Sequence, residues 1–190
     1  MTKKNILNKE AFKTNQYNEK YLYSVNRHTF EKESSASVFK RHFSKTLSKE
    51  ESLYIIFGTD SGLLAKHIIQ QELPKNTRYL FIELPQLIDK VAEAIPEDYD
   101  NETFAFSTPD NWREIAEKLE INLYIYKDKV RYIKSLAALD SFITDYHATN
   151  SEIIKSLEIL FFFTRAMVGV FPFMTKQLMN IADNKYSSAR

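Results

Sequence analysis

Apolar positions along this chain change period several times, and each change marks an element. Leu53-Tyr54-Ile55-Ile56-Phe57 is an unbroken apolar run, the pattern of a strand buried on both faces. It ends at Gly58, and Leu63–Leu73 then reads as a helix stopped by Pro74. Arg78–Glu83 repeats the strand pattern. After Pro85, residues Leu87, Ile88, Val91, Ala92 and Ile95 share one helical face up to Pro96. Thr103–Phe106 is a third strand. Thr108-Pro109-Asp110 opens a helix through Glu120, with Thr108 as its N-cap and Trp112 packed on the sheet. Ile121–Tyr126 and Val130–Ser135 are β-leaning runs around Asp128-Lys129, either a hairpin or successive strands.

The flanks read differently. Polar residues dominate positions 1–35, where a helix over 8–22 and an extended or hairpin segment at Tyr23–Phe30 are expected. The run Glu33–Ser37 caps a helix over 35–47, with Val38, Phe39, His42, Phe43 and Leu47 on one face. From Leu136 onward the pattern is helical: Leu136–Tyr146, then a long segment from Ser151 to about Ala182. Alternating strands and helices predict an α/β fold, Rossmann-like, with a mostly parallel sheet, helices on both faces and helical additions at both termini. The expected divisions are a polar, helical extension over 1–50, an α/β core over 51–150 and an aromatic helix over 151–190.

The junction after Phe57 carries the candidate chemistry. The chain has only three glycines, Gly58, Gly62 and Gly169, and two of them sit in one loop. Such a loop between strand and helix lets backbone N–H groups converge on an anion. Glu83, closing the next strand, stands where an acidic side chain would hold a ribose. Gly58, Asp60, Gly62 and Glu83 are therefore the candidate cofactor residues, for a nucleotide-type ligand or S-adenosylmethionine. Against this, Asp60 sits at the middle position, where a carboxylate repels phosphate. The chain has no Gly-Lys-Ser/Thr sequence for a phosphate-binding loop, and Ser61 reads as the cap of the following helix.

Composition narrows the rest. At 190 residues the chain is long enough for one compact domain, and 26 basic against 25 acidic residues give no field toward nucleic acid or membrane. Zero cysteines remove disulfides and thiolate chemistry and fit a cytoplasmic setting. The four histidines, His28, His42, His67 and His147, lie far apart with no metal-ligand spacing, so no metal is expected. No catalytic residue is assigned, since no nucleophile–base pairing appears. Arg27-His28 and Lys40-Arg41-His42 are small basic spots, read as solvated faces. Ile159–Met174 is too short for a span and is interrupted by Arg165 and Pro172. A helix this apolar, with Phe161, Phe162, Phe163, Met167, Phe171, Phe173, Met174 and Met179, needs a cover. The expectation is a downstream domain of a longer parent chain, or a second copy, meeting it over 159–179.

One family fits the order of these segments. The Tyr23-Ser24-Val25-Asn26-Arg27-His28 stretch, a helix, Tyr54–Gly58 leading through Gly62-Leu63-Leu64, Phe81-Ile82-Glu83 and the late Gln177–Ile181 resemble the amino-terminal domain of motility accessory factor (Maf) proteins. These are bacterial flagellin glycosyltransferases of the 6-hydroxymethylpterin pyrophosphokinase-like superfamily, and the resemblance runs over residues 20–183. It implies a Rossmann-like accessory domain, truncated before the domain that transfers a nonulosonic acid to flagellin. Asp60 departs from the family's Gly-x-Gly-x-Gly loop. Two other classes stay open: a small S-adenosylmethionine-dependent methyltransferase, and a non-enzymatic interaction domain.

Overall fold

A computed structural model describes residues 10–140 and 144–187, with side chains through Met167. The centre is a parallel sheet of β3 (Leu53–Phe57), β4 (Arg78–Ile82), β5 (Phe104–Ser107) and β6 (Val130–Lys134), in the order β5-β4-β3-β6. Preceding it, β1 (Lys13–Thr14) and β2 (Lys20–Tyr21) pair as an antiparallel hairpin. The α/β class and the parallel sheet are as the patterning predicts.

Every residue of β3 is buried, which explains the unbroken apolar run. In-register pairing puts Tyr54 opposite Tyr79 and Tyr79 opposite Phe104. Their rings stack at 5.3 Å between centroids across both steps. Phe81 and Phe106 repeat the stacking at 5.0 Å. Adjacent parallel strands lie close to a ring-stacking distance apart, so matched aromatics knit the sheet laterally.

Helices α1 (Tyr23–Asn26) and α2 (Ser35–Phe43) come before the sheet, with Ser34 as the α2 N-cap. The connections carry α3 (Leu63–Ile69), α4 (Ile88–Ala92), α5 (Trp112–Lys118) and α6 (Ile121–Tyr126); α7 (Leu136–Leu139) and α8 (Thr144–Ser187) follow β6. Residues Leu22, Val25, Phe30, Val38 and Phe39 share one continuous core with β3, β4 and β5. Trp112 is buried in that core, on a helix that packs against β4 and β5.

Several local expectations are corrected. Ile121–Tyr126 is helix α6, because Ile121 and Ile125, four apart, turn to the core while Leu123 and Tyr126 face out. The expected helix over 8–22 gives way to the β1–β2 hairpin in its described part. Asn15 holds that turn by accepting from the Tyr17 and Glu19 backbone N–H groups. Tyr23–Asn26 is helical rather than extended. Thr108 does not cap α5: the N-cap position is Asn111, which makes no side-chain cap bond, its Oδ1 instead accepting from the Thr108 N–H and hydroxyl. The two late helical stretches divide as a short α7 and a continuous α8 of 44 residues. The expectations for Phe171, Phe173, Met174 and Met179 lie outside the described side chains.

Candidate functional site

In a parallel sheet that grows outward in both directions from one strand, the crevice beyond the strand ends opens where the order reverses. Here that point lies between β3 and β6, flanked by the Gly58–Gly62 loop and by Ser135 after β6. The loop is left-handed almost throughout, with Gly58 at φ 80°, Asp60 at 51°, Ser61 at 60° and Gly62 at 86°. Left-handed backbone costs a non-glycine residue about 1–2 kcal/mol. Asp60 and Ser61 hold it because their side chains are fixed from outside the loop.

Asp60 is completely buried and accepts hydrogen bonds from three directions. The Leu136 N–H reaches Oδ2 at 3.0 Å, the Ala137 N–H reaches Oδ1 at 2.8 Å, and the Asn26 side-chain amide reaches Oδ1 at 3.0 Å. The first two are N–H groups of the first turn of α7, which no carbonyl within that helix can satisfy. Ser61 closes the other side: its hydroxyl donates to Asn26 Oδ1 at 2.6 Å and accepts from the Leu22 N–H at 3.0 Å. Ser61 thus ties the loop to the segment before α1. It does not cap α3, whose N-cap position is Gly62.

Glu83 is equally enclosed. Oε2 accepts from the Thr59 N–H at 2.9 Å and the Thr59 hydroxyl at 2.7 Å. Oε1 accepts from the Leu84 N–H at 2.8 Å and the Tyr146 hydroxyl at 2.6 Å. The structure therefore brings all four candidate residues, Gly58, Asp60, Gly62 and Glu83, into one region, and both carboxylates spend their acceptor capacity on the chain's own donors. Asn26 and Tyr146 complete the network. Patterning could place Tyr146 on a helix but gave no sign that it reaches Glu83.

Burial pushes the Asp60 carboxyl above the ordinary range, while the Ala137 and Leu136 N–H groups and the Asn26 amide pull it back. Glu83 is raised by the same cause, against the pull of Tyr146 and Thr59. Tyr146 is raised well above a free phenol by burial and by Glu83 beside it. At pH values between its unfolded and folded pKa, a carboxyl whose pKa is raised by folding takes up protons as the chain folds. Its contribution to stability is full below the unfolded value and is lost as pH rises through the folded one. Glu83→Gln removes that titration. The stability gap between the original chain and the variant is therefore expected to widen from pH 7.5 to pH 5, as read from urea unfolding at each pH.

A second polar array lies on the surface. Glu31 Oε2 is 2.7 Å from His28 Nδ1, and His28 Nε2 is 2.9 Å from the Tyr23 hydroxyl. The Lys13 ammonium sits 3.8 Å above the Tyr23 ring. With the His28 side chain 70% exposed, water competes for every contact in this line, and it carries no site assignment. Among the described residues no histidine, aspartate or glutamate cluster could hold a metal. Concave surface occurs elsewhere: a groove of about 900 Å³ between α2 and α3 is lined by Phe39, Phe43, Leu47, His67 and Tyr79. His67 there is half-buried, which lowers its pKa.

No protein-family model, curated protein or solved structure matches this chain. Among the described residues no helix is long and apolar enough to cross a membrane.

Proposed function

We propose that this chain is a non-catalytic, Rossmann-like domain that serves a larger protein as an interaction module. The observation that carries the reading is the state of the crevice where the strand order reverses. Asp60 occupies the first-turn N–H groups of α7, and Glu83 is closed off by Thr59, Leu84 and Tyr146. A ribose or phosphate would have to displace buried, charge-assisted hydrogen bonds that also hold the loop in shape. The resemblance to the amino-terminal domain of motility accessory factor proteins agrees with an accessory role. On that reading the parent is a cytoplasmic glycosyltransferase acting on flagellin, and the chain itself transfers no sugar.

The methyltransferase reading needs Glu83 to meet a ribose, and its oxygens are already taken. Calorimetric titration with S-adenosylhomocysteine, and separately with ATP, UDP and CMP, is expected to give no saturable heat and no thermal shift. A ligand at about 100 times its Kd would add roughly 2.7 kcal/mol of stability, well within detection. Saturable binding that Glu83→Gln abolishes, in a variant still folded by circular dichroism, would overturn the proposal.

A further inference from the structure

We draw no further inference here: the strongest candidate, the surface patch on α8 formed by Ile159, Phe162, Phe163 and Met167, all more than half exposed, carries none, since nothing in the structure shows what covers it.

Discussion

Asp60→Ala is expected to cost about 4 kcal/mol of folding stability. The substitution strands the Leu136 and Ala137 N–H groups and the Asn26 amide in a buried site, and each orphaned buried donor costs about 1–3 kcal/mol. It also releases a left-handed residue whose conformation the carboxylate had been holding. Against a typical total of about 5–15 kcal/mol the loss is large, and at this size it corresponds to a fall in Tm of roughly 10 °C. Urea unfolding followed by circular dichroism measures it. Asp60→Asn should recover little, because its amide N–H would face donors on one side or the other. The sign also bears on function, since a carboxylate kept for a ligand is often neutral or costly to the fold. Unchanged or raised stability in Asp60→Ala would therefore count against a purely structural loop.

Gly58→Ala is expected to cost about 3 kcal/mol. At φ 80° an added Cβ would lie 2.5 Å from Ser135 Oγ and 3.2 Å from the Tyr146 ring. The left-handed backbone accounts for about 1–2 kcal/mol. The rest comes from pushing Ser135 off the cap bond it accepts from the Ala138 N–H at 3.2 Å. A double-mutant cycle with Ser135→Gly separates the two parts. The pair should cost less than the sum of the single changes, because Ser135→Gly removes the atoms that the new methyl meets. Strict additivity would show that the clash is not the cause.

Much of this was open to a reader of the sequence, and the exceptions have physical reasons. β3 and β4 were legible because strands buried on both faces leave unbroken apolar runs. Helix α6 was not, since Ile121-Asn122-Leu123-Tyr124-Ile125-Tyr126 carries β-branched and aromatic residues whose local preference is for strand. The four-residue spacing of Ile121 and Ile125 decided the outcome once α8 and the sheet were there to bury them. The glycine loop was legible as a turn at the end of β3. What fills it was not, because Asn26 and Tyr146 arrive from opposite ends of the chain, and no local pattern records a contact 34 or 63 residues away. The same aspartate that made a phosphate unwelcome on paper proves to be the anion that α7 receives.

The bond between Tyr146 and Glu83 has a consequence for the far end of the helix. A straight helix advances about 100° and 1.5 Å per residue, so Phe162 emerges about 24 Å along α8 and roughly 160° around from Tyr146. Seating the phenol on Glu83 at 2.6 Å therefore fixes the compass bearing of Phe162 as well. The buried tyrosine is the index mark of a dial whose pointer lies on the outside of the molecule.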